Sequence, residues 1–584
     1  MLGMKDVKEN NLTVVVLIVI LTMIIGVSLS YAFFSARISG TESESTIVME
    51  AGSLSIEYTD LSNVISVSKV YPKEDAWVTK EFKVTGTNTT NLVLFYKIKI
   101  VLDNNEFEGL GLSYSLESEN TGNNGNIIPS ISKEYIGKDD VNLGQGYFIN
   151  TGTTPKEHKY TLKIYLKENG EDQNYLQGAK FAAHIEIEAG DKAVESSPKG
   201  WDEAGSGTLL AGIKENYPTI MQPLTNPGKE GSPAREAVLA GAVDDYGMSY
   251  YFRGNVTNNY VQFANKCWRI VRITGDGSIK LVLHNDNVNN LASPCASSNN
   301  TSTAAYARYS GTTYTTKYNG EYSDNAYVGF MYGTAGSSTY AETHANINKS
   351  TILQNLETWY KNNLATYESK LADTIWCNDK STQLNQTAIG TRLNTTTNKL
   401  NKSSSNYPGL GYGTDTTLYS GRLRLRAKYF YTDTSSKQYG PVGTGPTLIC
   451  PLDNDGGKLS KLTVSDTTNG NGALDHKIGL LTSDEVLYAG SIDWFGYQAL
   501  NYTNSSINSY LRENATGAWY WSFSPDYFRD DVGGVAGVLG VEGAGNVNDS
   551  WVANLYGLRP AVSLTSATTI SGGTGTSSNP FVIN

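Results

Sequence analysis

The sequence predicts a mainly β protein with a smaller α+β part, preceded by one apolar segment that could cross a membrane. Short segments between residues 53 and 187 alternate apolar and polar residues at the period of a β-strand. Clusters of Gly, Asn and Thr separate these segments, as turns require. With 584 residues, the chain is too long for a single core and divides into several structural units.

The first 35 residues predict export. Lys5 and Lys8 precede a run from Leu12 to Phe34 that contains no charged residue. As a helix, this run is long enough to cross a hydrocarbon core of about 30 Å, with the lysines inside and the later residues outside. Small residues also allow cleavage near Ala32. Residues 1–35 are therefore predicted to be a signal peptide or a retained membrane anchor, and the protein is predicted to be anchored at the cell surface or secreted.

The composition agrees with an extracellular protein. Only 18% of the residues are charged, and the chain contains 38 tyrosines. The formal net charge of −11 argues against a nucleic-acid partner, because phosphate binding requires clustered Lys and Arg.

Four cysteines are widely spaced, and none forms a CxxC pair. Outside a cell they could form two disulfides, for which three connectivities exist. We favour Cys377–Cys450 and, after it, Cys267–Cys295. Free buried thiols are the alternative.

Residues 36–190 are predicted to form a β-sandwich domain, because each alternating segment has one apolar face to bury. The predicted strands are 53–58, 78–84, 94–101, 160–166 and 181–187.

This region resembles the camelysin and TasA-like family of secreted Gram-positive surface proteins. The resemblance rests on Tyr31-Ala-Phe-Phe-Ser35, on a strand-Thr-Asn-strand unit from Thr85 to Tyr96, and on Gln173-Asn-Tyr-Leu-Gln-Gly178. It implies a matrix or fibre component. Protease activity has been assigned to some such proteins, but this sequence has no HExxH or other zinc-binding motif, so we do not extend that activity to it.

Residues 191–245 are predicted to be a linker with a short helix at 208–214. Residues 246–584 form the second folded region, with a Ser-, Thr- and Tyr-rich insertion near 296–345. A hairpin is predicted over 267–283. Ser350 is predicted to cap a helix, and Thr482-Ser-Asp-Glu485 is a capping box that predicts another. The predicted closing strands are 558–564 and 580–583.

The second region resembles a large group of uncharacterised bacterial surface proteins whose C-terminal region is thought to adopt a C-type-lectin-like fold. The matching segments, in order, are Tyr251-Phe-Arg-Gly254, Cys267-Trp-Arg-Ile-Val-Arg272, Ala326-Tyr-Val-Gly-Phe-Met-Tyr332, Trp376-Cys-Asn-Asp379, Gly479-Leu-Leu-Thr-Ser-Asp-Glu485, Trp521-Ser-Phe-Ser-Pro525 and Gly557-Leu-Arg-Pro-Ala-Val562. The resemblance implies a C-type-lectin-like α+β domain. That fold also hosts sugar binders, phage receptor binders and formylglycine-generating enzymes, so it does not decide the function.

The sequence predicts no catalytic residues, cofactor or metal site. Its five histidines lack metal-ligand spacing, and no G-x-S-x-G motif is present. Formylglycine-generating enzymes need a cysteine pair late in the fold, but no cysteine follows Cys450. Calcium has no supporting motif, because Asp453-Asn-Asp455 opens like a calcium loop that no acidic residue closes.

Arg422-Leu-Arg-Leu-Arg426 is predicted to place three arginines on one face of a strand. Such a stripe could meet an anionic polymer, but a solvated or locally paired face is the favoured interpretation.

The stretch between Pro525 and Gly557 is Gly-rich and is predicted to be a loop held on a rigid scaffold. Aromatic rings can stack on sugars or anchor protein interfaces. Trp521 is expected to belong to the core and Arg559 to be structural. The candidate ligand-binding residues are Trp519, Tyr527, Trp551 and Asn554.

These observations predict a cell-surface adhesion protein that recognises a glycan, or a protein on a host or neighbouring cell, without catalysis. The N-terminal helix makes the membrane a further partner. The alternative is a structural subunit of an extracellular matrix or fibre, and an extracellular enzyme is a more distant one.

Overall fold

The structure is a computed structural model that describes most of residues 37–583. Besides gaps of one to three residues, it leaves out 1–36, 40–45, 108–111, 167–178, 190–193, 221–231, 383–392, 395–398, 401–410, 427–430, 433–437, 440–444, 452–455, 495–506 and 513–518. Among the helices of the described part, none is long and apolar enough to span a membrane. The predicted apolar segment from Leu12 to Phe34 lies outside the described residues.

The described residues are mainly β, which confirms the predicted fold class at that level. Two six-stranded sheets form the N-terminal unit. Their strands are β1 (Arg37–Ser39), β2 (Thr46–Ala51), β3 (Leu54–Asp60), β4 (Ile65–Ser68), β5 (Val78–Asn88), β6 (Leu92–Asn105), β7 (Leu112–Thr121), β8 (Ile131–Tyr135), β9 (Val141–Phe148), β10 (Gly152–Leu166), β11 (Lys180–Ala189) and β12 (Val194–Glu195).

One sheet has the order β1-β11-β6-β12, with β4 on β11 and β9 on β6. The other has the order β2-β3-β5-β10-β7-β8. All five predicted strands are confirmed, and buried residues alternate along β10 as the sequence pattern requires. The buried faces of both sheets contribute to one hydrophobic cluster, with Phe82 and Tyr160 from one sheet and Tyr96 and Ile98 from the other.

The linker prediction for residues 191–245 needs correction, because ordered elements occupy much of that range. Val194 pairs with Val93 of β6. Helix α1 (Leu209–Asn216) begins after Thr208, whose hydroxyl accepts a hydrogen bond from Ala211 N. Its apolar residues Leu209, Leu210 and Ile213 lie in the large C-terminal hydrophobic cluster, so burial of this face fixes the helix.

The described residues of the C-terminal unit form two eight-stranded sheets, three two-stranded ones and four α-helices. Its strands are β13 (Ala237–Asp244), β14 (Gly247–Gly254), β15 (Tyr260–Phe263), β16 (Lys266–Ile273), β17 (Ile279–Asn285), β18 (Thr315–Thr316), β19 (Met331–Tyr332), β20 (Asn348–Lys349), β21 (Trp376–Cys377), β22 (Leu393–Asn394), β23 (Lys399–Leu400), β24 (Thr416–Leu418), β25 (Tyr431–Thr432), β26 (Gln438–Tyr439), β27 (Lys461–Leu462), β28 (Tyr520–Arg529), β29 (Val535–Val541), β30 (Val547–Trp551), β31 (Tyr556–Gly557), β32 (Ala561–Leu564), β33 (Ile570–Gly572) and β34 (Phe581–Ile583). The helices are α2 (Tyr340–His344), α3 (Thr351–Asn363), α4 (Ser420–Arg426) and α5 (Ser483–Tyr488).

The first large sheet has the order β13-β14-β16-β15-β34-β33, and β17 joins β16 to β32. The predicted hairpin is confirmed, since β16 and β17 pair antiparallel. Both predicted closing strands are also present as β32 and β34. The second large sheet has the order β18-β31-β28-β24-β23-β22, with β29 and β30 continuing from β28.

Both predicted helix caps are confirmed. Ser350 caps α3 by accepting a hydrogen bond from Leu353 N, and the apolar face of this helix is buried. Thr482 and Glu485 form the reciprocal capping box of α5. Each cap satisfies backbone N–H groups that would otherwise lack a partner at the first turn.

The prediction of a decorated insertion near 296–345 is wrong in one respect, because this segment contributes to the core. Tyr306, Tyr318, Phe330 and Met331 are buried in the C-terminal hydrophobic cluster. The segment consists mostly of turns and short 3-10 helices, which give its sequence no regular period.

Both favoured disulfides are confirmed. Cys267 pairs with Cys295, with 5.0 Å between their Cα atoms, and Cys377 pairs with Cys450, with 5.5 Å between theirs.

The arginine-rich segment 422–426 is helical, so the prediction of a strand is wrong. It is the main part of α4, and two of its arginines form ion pairs with residues distant in the sequence. Arg422 pairs with Asp526, and Arg424 pairs with Asp379 and Asp484. The favoured interpretation of locally paired arginines is correct for Arg422 and Arg424.

Candidate functional site

The segment that carries the candidate binding residues is a meander of three antiparallel strands, not the predicted loop. β28 pairs with β29, and β29 pairs with β30. The short run Val535–Val541 is buried throughout. Its glycines interrupt the alternation of apolar and polar residues, so the sequence pattern does not indicate a strand here.

Tyr527, Gly537 and Trp551 lie side by side across these strands. Residues directly opposite in an antiparallel sheet project their side chains to the same face. A Cβ atom at Gly537 would lie 2.6 Å from Cζ of Tyr527, so the tyrosine ring fills the space that a side chain there would need. Trp551 remains 48% exposed at the end of this row.

Tyr527 is buried within this row and does not present its ring to solvent. Its exposure is only 1%. The guanidinium carbons of Arg422 and Arg529 lie 5.1 and 5.7 Å from the ring centroid. Burial raises the pKa of the Tyr527 phenol, so the ring stays neutral. Direct ligand contact by Tyr527 is therefore not available in this arrangement.

Trp519 and Asn554 are associated with the opposite face of the meander. The Trp519 ring stacks on Tyr556, with 4.9 Å between centroids. Asn554 Nδ2 donates to Ser550 Oγ at 2.8 Å, and Ser550 neighbours Trp551 along the strand and so points to the other face. Trp521 is buried, as expected for a core residue, and donates through Nε1 to Thr316 O at 2.8 Å.

A turn at the end of β30 brings the exposed members of the segment together. Asn554 N donates to Trp551 O at 2.9 Å, and the next residue, Leu555, is 62% exposed. We call Trp551, Asn554 and Leu555 the Trp551 rim. Leu555 was missed by sequence reasoning, since a lone leucine beside a turn carries no distinguishing pattern. Contiguous exposed apolar patches mark contact surfaces, and this turn leaves two large apolar side chains, Trp551 and Leu555, exposed four positions apart.

A buried ionic network lies beneath the C-terminal unit's first large sheet. Glu485 accepts from Arg272 Nε at 2.9 Å and from Lys280 Nζ at 2.7 Å. Arg272 also pairs with Asp244. Burial raises the pKa of the Glu485 carboxyl, but the two cations outweigh burial and lower that pKa to about 2. The carboxylate is therefore charged at neutral pH.

A cavity of about 20 Å³ adjoins this network and is lined by Arg424, Asp484 and the Cys377–Cys450 disulfide, among others. That volume holds about one water molecule and no organic substrate. Every charge named here has an opposite charge beside it. The network therefore has the character of a structural support.

Within the described ranges, no group of three or more His, Cys, Asp and Glu side chains could hold a metal ion. The segment that opens like a calcium loop, 452–455, lies outside them.

The fold and these contacts define a mainly β, disulfide-containing protein. No family model matches the chain, and no curated protein matches it. Several solved structures show partial similarity, three of which follow. The trimeric lipoprotein SadB from Salmonella enterica is 9% identical with a TM-score of 0.10, covering 32% of this chain and 74% of its own. The VP2 subviral particle of infectious bursal disease virus is 10% identical with a TM-score of 0.13, and the match covers 28% of this chain and 33% of the VP2 chain.

The third is the K1 cleaved adhesin domain of Lys-gingipain from Porphyromonas gingivalis. It is 13% identical with a TM-score of 0.13, and the match covers 27% of this chain and 99% of that domain. TM-scores this low carry no argument about fold or function.

Proposed function

We propose that this chain is an extracellular surface-binding protein that contacts a glycan or protein ligand at the Trp551 rim, without catalysis. The observation that carries the proposal is the half-exposed indole of Trp551 at the end of a buried strand meander, followed in the next turn by the exposed Asn554 and Leu555. A ring fixed in this way loses little side-chain entropy when a ligand covers it.

The rim favours a sugar over a large protein partner. A flat indole can stack on the apolar face of a sugar ring. A stable protein interface needs about 800 Å² on each partner, whereas the rim consists of three exposed side chains. A protein ligand is the second outcome that an experiment must allow.

The rest of the chain has a supporting role in this proposal. Its N-terminal apolar segment would anchor or export it, and the N-terminal two-sheet unit would act as stalk or assembly module. The two resemblances described above support this division into a camelysin- or TasA-like sandwich and a C-type-lectin-like domain.

Arrays of glycans and surface proteins test the proposal. Purified chain lacking residues 1–35 should select a ligand, and Trp551→Ala should weaken that binding at least about tenfold. Tyr71→Ala is the matched control, because Tyr71 is a 62% exposed aromatic residue of the N-terminal unit. If the chain bound no ligand and instead assembled into filaments, the matrix-subunit alternative would replace this proposal.

A further inference from the structure

Lys380 is a fully buried amine that has no acidic partner. Its side chain is 0% exposed. Its Nζ donates to the backbone oxygen of His344 at 3.2 Å and to Oδ1 of Asn346. Among the described residues, no carboxylate pairs with it. Other buried lysines differ, because Lys280 pairs with Glu485 and Lys266 pairs with Asp286.

This environment makes the Lys380 amine a nucleophile. Burial lowers the pKa of its ammonium group to about 7, because a charge is costly in an apolar interior. At neutral pH a large fraction of the side chain therefore carries a free lone pair. Desolvation of this kind is one way in which proteins activate lysines.

The carboxamide of Asn346 is held against this amine from both ends. Its Nδ2 donates to Leu459 O at 3.0 Å, while its Oδ1 accepts from Lys380. The carbon Cγ is bonded directly to Oδ1, so the electrophilic atom lies next to the amine. Fixed proximity of two reacting groups removes much of the entropic barrier to their reaction.

His344 supplies an unprotonated nitrogen in the same cluster. Asn325 donates through Nδ2 to Tyr412 O and Thr417 Oγ1, so its Oδ1 accepts from the Tyr419 hydroxyl. The Tyr419 oxygen must then accept from His344 Nε2, 3.1 Å away. Nδ1 of His344 is consequently the lone-pair nitrogen, and it has no hydrogen-bond partner within the described part of the chain.

We propose that Lys380 and Asn346 join in an intramolecular isopeptide bond. Nζ of Lys380 attacks Cγ of Asn346 and forms a C–N bond. The bond from Cγ to Nδ2 breaks, and Nδ2 leaves as ammonia. An amine and a primary amide become a secondary amide and ammonia, so no oxidant, reductant or other reactant is needed.

The proton that Nζ loses passes to the departing Nδ2, which leaves as ammonia, so no other group is consumed. Burial, together with the charge of the nearby Lys380, holds the pKa of the His344 imidazole well below its usual range. The ring is therefore neutral at neutral pH and adds no positive charge beside the amine.

The bond would close a loop with a sequence separation of 34 that contains α3. One end lies just before β20 and the other just after β21, next to the Cys377–Cys450 disulfide. Unlike that disulfide, an amide cross-link resists reduction, which suits a protein exposed outside a cell.

Peptide mapping of the full chain tests the bond. After reduction and complete tryptic digestion, the cross-link predicts one species that joins residues 318–349 to residues 371–392, lighter than the sum of the two by one ammonia. Trypsin would not cut after Lys380, because its amine is acylated. If the digest contains separate peptides 318–349 and 371–380 in quantity and no joined species, the proposal is wrong. This measurement uses the unaltered protein and does not depend on the folding of any variant.

Variants check the assignment of each atom. Lys380→Met and Asn346→Ala should each abolish the joined species, whereas Lys266→Met, at a buried lysine with a carboxylate partner, should retain it. A mass deficit that persists in Lys380→Met or Asn346→Ala would place the lost ammonia elsewhere and overturn the proposal.

Discussion

The Tyr96 hydroxyl lies 2.5 Å from Nδ1 of His158 and donates a hydrogen bond to it. Nε2 of His158 lies 2.8 Å from the carbonyl oxygen of Asn124, which can only accept, so Nε2 carries the proton and Nδ1 is the acceptor. Tyr96 in turn accepts from Tyr160, 2.6 Å away, and Tyr160 accepts from Ile128 N. The chain of bonds joins β6 in one sheet to β10 in the other.

Because the fold keeps the His158 imidazole neutral, we predict that the folded protein loses stability in acid. Burial lowers the pKa of His158 from 6.5 to about 4. The unfolded state therefore binds more protons than the folded state between about pH 4 and 6.5, so stability rises with pH in that window. The His158 contribution, about 3 kcal/mol, is complete above pH 6.5 and is lost as the pH falls toward 4.

The measurement is the difference in unfolding free energy between the wild type and His158→Gln from pH 4 to 8. Glutamine can donate and accept hydrogen bonds but does not titrate in this range. The difference should shrink as the pH falls from 6.5 to 4. A difference that stays constant over that range would contradict the assignment of a neutral, buried imidazole.

Removal of the Glu485 carboxylate is predicted to destabilise the C-terminal unit. Glu485→Gln leaves Lys280 and part of the Arg272 charge buried without compensation, which costs about 3–5 kcal/mol in comparable buried pairs. Urea unfolding followed by tryptophan fluorescence measures this loss. Asp475→Asn removes a 61% exposed carboxylate from its pair with Lys349 and serves as the control, with an expected loss below about 1 kcal/mol. Equal losses in the two variants would show that the buried network has no special role.

The sequence predicts those parts of this fold that depend on local chemistry. Strand alternation in β10, the Ser350 cap of α3 and the capping box of α5 are each written in neighbouring residues, and all three are confirmed. The segment 422–426 shows the limit of that reasoning, because its alternating arginines and leucines imitate a strand. Ion pairs from Arg424 to Asp379 and Asp484 accompany a short helix there instead, and a local pattern cannot reveal them.

The candidate sites also combine features that the sequence predicts with features that only the fold reveals. The sequence predicts Trp551 as an aromatic residue in a Gly-rich stretch, but only the strand register reveals that it shares a face with Tyr527 while Ser550 and Asn554 are associated with the other. The contact between Lys380 and Asn346 has no signal in the sequence, because a buried lysine and a surface lysine look identical until the fold surrounds one of them.

The two disulfides are predicted to differ in the stability that each contributes. In the chain-entropy description, a cross-link over a separation of 73 limits the unfolded chain more than one over 28. The difference is roughly 0.8 kcal/mol in favour of Cys377–Cys450. Urea unfolding of the paired variants Cys377→Ala/Cys450→Ala and Cys267→Ala/Cys295→Ala compares them. A larger loss from the Cys267–Cys295 pair would mean that native packing, and not loop length, decides the order.

Gly537→Ala is predicted to disturb the cross-strand row that contains Tyr527, Gly537 and Trp551. The added Cβ would lie 2.6 Å from Tyr527 Cζ, closer than real Cβ contacts, so the ring must move. Overpacking of this kind costs about 1–3 kcal/mol, which urea unfolding measures, and near-ultraviolet circular dichroism reports the ring displacement. Gly540→Ala in the same strand is the matched control, because its Cβ would come no closer than 3.3 Å to a neighbour, the Tyr520 carbonyl oxygen. If both variants behaved alike, the close packing of Tyr527 on Gly537 would not be the source of the lost stability.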